Sequence, residues 1–195
     1  SLLKNCPYDA VRDFTPVAGL ADVPHVLVAR KTLRIDSVAE LIAAAKAMPD
    51  NFYCGSTGIG SASHLAGELF KTRAGVDIRH VPFRGATPMV TEMLASRIDV
   101  SFATLPSVIA QIEAGELKAL AVASARRTER LPQVATLAEL GISGVEADAW
   151  FVLFAPARTP ATATARLYAA VSTGLGAPEA REAITRLGMT AALRP

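Results

Sequence analysis

The residues from 17 to 124 predict an α/β layer with a mostly parallel sheet. Three observations carry that prediction. Short apolar runs alternate with stretches of helical periodicity, glycine- and hydroxyl-rich loops follow the strands, and helix-start signals come directly after those loops. In such sheets ligands bind beyond the carboxyl ends of the strands, so the loops at 55–61, 82–87 and 103–106 are expected to gather on one edge.

Residues 1–16 are turn-rich and read as a linker lying on a surface. Val17 to Ala29 reads as a strand, ending in Val26-Leu27-Val28. Ser37-Val38-Ala39-Glu40 is a capping box opening a helix whose buried face is Val38, Leu41, Ile42 and Ala45, and Pro49 marks its end. A strand follows at Phe52–Cys54. Beyond the central loop come a helix from Ser61, a strand at Ile78–Val81, and a second loop, Pro82 to Thr87. Thr87-Pro88 signals the next helix. A strand at Ile98–Ala103 carries Asp99 and Ser101, which predict one less buried face, and Pro106 opens a helix that Gly115 closes. Lys118–Ser124 is again a strand. After Ser124 the composition shifts: Arg126 to Arg130 is charged, Thr136-x-x-Glu139 is expected to cap a short helix ending at Gly141, and Trp150 to Pro156 reads as a buried strand. Two proline-started helices, from Pro160 and Pro178, offer Leu167, Val171, Ala183, Ile184 and Leu187 as core contacts.

The loop Gly55-Ser56-Thr57-Gly58-Ile59-Gly60-Ser61 carries the chemistry. Ala62, Leu65, Ala66, Leu69 and Phe70 have the spacing of one buried helix face, and Ser61 stands at the N-cap. A helix start presents unpartnered N–H groups and the positive end of the dipole, and the glycines let backbone approach a ligand. With the hydroxyls of Ser56, Thr57 and Ser61, and the amides from Gly58 to Ser61, this is a site for a carboxylate or phosphate. The same residues are compatible with a strand-to-helix turn that binds nothing. A P-loop is excluded, because Gly60 is followed by Ser61-Ala62 rather than Lys-Ser/Thr. A dehydrogenase reading needs Tyr-x-x-x-Lys, and Tyr8, Tyr53 and Tyr168 all lack the lysine. Gly-x-Ser-x-Gly is absent around Ser56, where Cys54 takes the first glycine's place, and no nucleophile is seen paired with a base, so no catalytic residues are assigned.

Composition narrows the classes further. The 195 residues are 51% hydrophobic, ample for a core, and the net charge of +2 with dispersed basic residues argues against nucleic acid. Cys6 and Cys54 match no metal or redox spacing and are expected as free thiols; His25, His64 and His80 are too scattered to read as a metal site. No cofactor is implied.

The order of motifs resembles a known family. Tyr8-Asp9-x-x-x-Asp13-Phe14-x-Pro16-Val17 is followed by Gly55-Ser56-x-Gly58-x-Gly60-Ser61-x-x-His64-Leu65-x-Gly67-Glu68 and by His80-Val81-Pro82-Phe83-Arg84-Gly85. Leu105-Pro106-Ser107, Ala114-Gly115-x-Leu117 and Trp150-Phe151-x-Leu153-Phe154-Ala155-Pro156 continue in register. Together they are similar to the Bug/TctC family, periplasmic solute receptors of tripartite tricarboxylate transporters. The resemblance implies a type II periplasmic-binding-protein fold, a Venus flytrap of two α/β lobes with a carboxylate between them. Residues 1–16 then correspond to a remnant of lobe 1, 17–124 to the ligand-binding lobe 2, and 125–195 to the crossover and the C-terminal part of lobe 1. The opening part of lobe 1 and the last helix have no counterpart, giving one complete lobe plus part of the other. Membrane transporter subunits are the implied partners and the periplasm the implied compartment. Apolar surface exposed by the incomplete lobe is expected to promote self-association.

The ligand set expected from loop and resemblance is Ser56, Thr57, Gly58, Gly60, Ser61, His64, Arg84, Gly85 and Thr104. His64 is expected neutral near the helix start, with Glu68 as its partner and a structural role weighed against ligand contact. Arg84 suits a distal carboxylate through a forked contact, or is a solvated loop arginine. Family members often carry an acidic or amide residue where this chain has Ala103-Thr104, so the resemblance favours plain carboxylates over amino acids.

Overall fold

A computed structural model describes residues 6–194. They fall into two compact units, one of Pro24–Ala149 and one joining the residues up to Val23 to those from Trp150 onward. The expected single strand from Val17 to Ala29 is two strands, β1 (Phe14–Val23) and β2 (His25–Arg30), broken at Pro24, which has no N–H to give to a ladder. The break is also where the chain leaves one unit for the other.

In the larger unit, β2 joins β3 (Tyr53–Ser56), β4 (Arg79–Pro82), β5 (Val100–Thr104) and β6 (Leu117–Val122) in the order β4-β3-β5-β2-β6. β3 is parallel to β4 and β5, while β2 is antiparallel to both β5 and β6. Four strands therefore share one direction and β2 alone opposes them. The carboxyl ends of β3, β4, β5 and β6 lie at one edge. The start of β2 lies there too, since His25 pairs with Thr104.

Helices α1 (Val38–Ala47) and α2 (Ala62–Ala74) contribute to one buried layer, α3 (Ala86–Leu94) and α4 (Leu105–Glu113) to the other. β2 shows why the sheet is covered on both sides. Leu27 and Ala29 enter the first layer, Val26 and Val28 the second, as the two-residue period of a strand requires. Asp99 and Ser101 are buried, contrary to the expectation of a less buried face. The Asp99 carboxylate accepts from Arg30 Nε at 2.8 Å and from Tyr53 N–H at 2.9 Å; Ser101 Oγ donates to the Gly55 carbonyl at 2.9 Å.

The larger unit also extends past the expected boundary at 124. Val122 bridges Thr136, Ala147 N–H donates to the Ala123 carbonyl at 2.8 Å, and Leu131, Val134, Leu137, Ile142 and Val145 enter the core. The capping box at Thr136 forms, with Glu139 accepting from Thr136 N–H at 2.7 Å and Thr136 Oγ1 from Glu139 N–H at 3.1 Å. It closes a turn instead of a helix, because Gly141 with φ 84° ends the segment after about one turn.

The smaller unit is a three-stranded sheet, β7-β1-β8, of β1, β7 (Ala149–Pro156) and β8 (Thr190–Arg194), with helices α5 (Ala161–Gly176) and α6 (Pro178–Arg186). Reading Trp150 to Pro156 as a strand followed by two helices missed β1 as its partner and β8 altogether. Val17, Ala18 and Ala155 form its buried cluster, with Leu20, Leu153, Tyr168 and Val171 against them. Leu167 and Leu187, expected in the core, are exposed, and so are Phe151, Phe154 and Trp150, the last at 62%. No described helix is long and apolar enough to cross a membrane.

Candidate ligand site

The parallel pairing of β3 with β4 sets Ser56 beside Pro82, so the two loops leave the sheet together. Phe83 N–H donates to the Ser56 carbonyl at 2.9 Å and ties them. Gly58 has φ 136° and Gly60 φ 79°, conformations that suit glycine and that turn the first loop sharply into α2. Ser61 caps the helix, its Oγ accepting from His64 N–H at 3.3 Å and donating to the Gly58 carbonyl at 2.6 Å.

Inside the loop, Ser63 Oγ is the hub. It accepts from Thr57 N–H at 2.9 Å and lies 3.1 Å from Thr57 Oγ1 and 3.0 Å from Ser61 Oγ. Ser63 is buried and was not among the expected ligand residues. Its signal is its place two residues past the N-cap, where a hydroxyl can turn back onto the preceding loop.

These bonds redistribute the expected donors. Gly58 N–H goes to Ser56 Oγ at 3.2 Å, Gly60 N–H to His64 Nδ1 at 3.1 Å and Ser61 N–H to the Gly58 carbonyl at 3.2 Å. Among the described residues, nothing accepts from the amides of Ile59, Ala62 and Ser63. The open donors thus sit at the tip of the loop and in the first turn of α2, a little further along the chain than expected.

Ser56 is fully buried and supports the loop from below. Its Oγ is 2.6 Å from Nε2 of His80, a residue that reasoning from sequence left outside the site. His80 and His64 stack with centroids 4.0 Å apart and planes 26° from parallel. Burial, then the neighbouring His64, lowers the His80 pKa below the ordinary imidazole value. His64 Nε2 lies 3.9 Å from Glu68, the partner expected for it, and Glu68 is held more closely by Lys71 at 2.8 Å.

The Ser56–His80 contact corrects the statement that no nucleophile is paired with a base. It lacks the surroundings of a catalytic pair. The hydroxyl is out of reach of solvent and shared with Gly58, and no carboxylate accepts from His80 among the described residues.

The remaining expected residues lie on the same edge. Arg84 is exposed in the second loop, Gly85 caps α3 with φ 113°, and Thr104 caps α4 at the end of β5. Thr104 Oγ1 is bonded to Ser107 Oγ at 3.2 Å. Neither Arg84 nor Thr104 makes a hydrogen bond to the first loop. Among the described residues no group of His, Cys, Asp or Glu is placed to hold a metal.

An α/β unit whose sheet is covered on both faces, with open amides at a helix start on its carboxyl edge, has the architecture of a ligand-binding α/β lobe. The model of the TctC family, described as tripartite tricarboxylate transporter family receptor, matches residues 1–193, and the chain belongs to that family. It is 38% identical over 159 residues to BugT of Bordetella pertussis, covering 82% of this chain and 49% of that protein. To the UPF0065 protein in the tcbD-tcbE intergenic region of Pseudomonas sp. (strain P51) it is 37% identical over 187 residues, 95% of this chain and 56% of the relative. Among solved structures, R. palustris Rpa4515 with adipate superimposes with a TM-score of 0.93 at 36% identity, over 97% of this chain and 64% of that one. MatC from Rhodopseudomonas palustris with bound malate gives 0.88 at 32%, over 97% and 64%. The chain thus spans about half the length of these curated relatives.

Proposed function

We propose that this chain belongs to an extracytoplasmic receptor that captures a small organic carboxylate and delivers it to the membrane subunits of a tripartite transporter. The observation that carries the reading is the loop from Thr57 to Ser63, where open amides and hydroxyls converge at a helix start on the carboxyl edge of the sheet. Solved relatives bound to adipate and malate support the ligand class. In this reading the Thr57 hydroxyl and the amides of Ile59, Ala62 and Ser63 hold one carboxylate, and Ser61, whose proton goes to the Gly58 carbonyl, fixes the helix start that presents them. Arg84 and Thr104 approach the far end of the ligand, Gly58, Gly60 and Gly85 shape the backbone, and Ser56 and His64 support it from within. The site works by binding and not by catalysis. The reading places the protein in the periplasm and assigns the exposed aromatics of β7 to self-association.

Calorimetric titration against adipate, malate, citrate, aromatic acids and nucleotides tests it. Binding of at least one dicarboxylate, lost in Ser61→Ala, is expected. A nucleotide that binds while every carboxylate is silent would overturn the reading in favour of an enzyme or nucleotide-binding role.

A further inference from the structure

We infer that His64 and His80 are positioning residues: a stacked pair of uncharged imidazoles that hold the ligand loop in its binding shape without touching the ligand. The inference rests on the carboxylate reading of the site. Each ring is tied to a different part of the loop. His64 Nδ1 accepts the Gly60 amide, and His80 Nε2 meets the Ser56 hydroxyl, which in turn accepts the Gly58 amide. Gly58 and Gly60 are the two positions of the loop with positive φ, so the rings fasten the turns on which the loop's course depends. The side chain of His64 is 20% exposed, which fits a packed support better than a ligand contact.

The geometry dictates a charge state. An imidazole whose Nδ1 accepts from an amide carries its proton on Nε2; adding a second proton converts that acceptor into a donor facing the Gly60 N–H. At His80 burial opposes a second proton, and after it the neighbouring His64 ring, 4.0 Å away. The other titratable groups facing the pair are Glu68 and Lys71 from α2 and the Cys54 thiol, paired with His80 across β3 and β4. At His80, Glu68 favours a charged ring and Lys71 opposes it, both more weakly than burial and His64.

The test is the affinity for malate and adipate at about pH 8, where their carboxyls are ionised. His64→Leu removes the acceptor and is expected to raise the dissociation constant at least about threefold, as when only a third of the protein stays competent. His64→Asn, with its amide oxygen near the place of Nδ1, is expected to recover most of that loss. A leucine variant that binds as tightly as the parent, or an asparagine variant no better than leucine, would overturn the inference. Nitrogen-15 spectra of the unliganded protein supply a readout independent of binding. His64 is expected as the Nε2–H tautomer, and the Gly60 amide is expected to shift in His64→Leu and to return toward its parent position in His64→Asn. A Gly60 amide indifferent to His64 overturns the inference. Silence toward every carboxylate with that coupling intact overturns the carboxylate reading instead.

Discussion

Replacing Ser63 by alanine tests whether the binding loop is held by its hydroxyl hub. The substitution keeps a good helix former in the first turn and deletes one oxygen. That oxygen is the acceptor for Thr57 N–H at 2.9 Å and a partner of two hydroxyls at 3.0 and 3.1 Å. Ser61 keeps its bond to the Gly58 carbonyl, so the loss falls mainly on Thr57. A buried donor left without an acceptor costs about 1–3 kcal/mol, and because Thr57 is only half-buried, water can recover part of that. The expected cost is therefore at the lower end, about 1 kcal/mol, a fall of about 2–4 °C in Tm for a chain of this size. If the loop must re-form before ligand enters, the same amount appears as a roughly fivefold weaker Kd. Differential scanning calorimetry and titration with one dicarboxylate measure both. An unchanged Tm together with an unchanged Kd would show that Ser63 does not hold the loop.

Two further outcomes follow from burial. Cys6 is exposed and Cys54 buried, with burial pushing the Cys54 thiol up to about 12, so a thiol reagent at neutral pH is expected to react once in the native protein and twice after denaturation. Burial lowers the pKa of His25, against a weaker opposing pull from the Ala147 backbone, and among the described residues its Nδ1 has no hydrogen-bond partner; the native state thus resists a proton that the unfolded chain accepts near pH 6.5. Stability is then fullest above about pH 6.5 and falls as the pH drops below it. The urea midpoint of His25→Gln is expected to vary less between about pH 7.5 and 5.5 than that of the parent, and an equal slope would count against this assignment.

How much of this was legible in the sequence depends on how far apart the partners lie. The strand–loop–helix unit from Tyr53 to Ala74 could be read because its signals are consecutive: apolar strand, glycines, serine cap, helical period. His64 on the Gly60 amide is a contact four residues long, within reach of the same reasoning. His80 on Ser56 is different, since it exists only through the register that sets Cys54 against His80 on neighbouring strands. No local pattern contains that register. The same holds for Asp99, which looked like an interruption and is the partner of Arg30, and for β8, five residues of weak pattern that become a strand by pairing with β1.

Two glycines show the limit most directly. Gly55 and Gly67 both belong to the recognisable motif, and by composition each is an exchangeable small residue. Their surroundings separate them. A Cβ at Gly55 would meet Met89 Cγ at 3.0 Å and Ile98 Cγ2 at 3.1 Å, both in the buried layer beneath the sheet edge. At Gly67, inside α2, it would meet Cys54 Sγ at 3.4 Å and Phe102 Cδ2 at 4.0 Å, close to ordinary contact. Gly55→Ala therefore crowds two buried side chains, both of which must shift to admit the methyl, and is expected to cost about 1–3 kcal/mol. Gly67→Ala gains about 1 kcal/mol of helix propensity against a slight crowding of the thiol, and is expected to be neutral or stabilising. Urea unfolding of the two variants under one set of conditions reads the difference. If Gly55→Ala is the more stable of the two, the packing of α3 against the end of β3 is looser than its distances imply, and the rigidity ascribed to the loop's foundation goes with it.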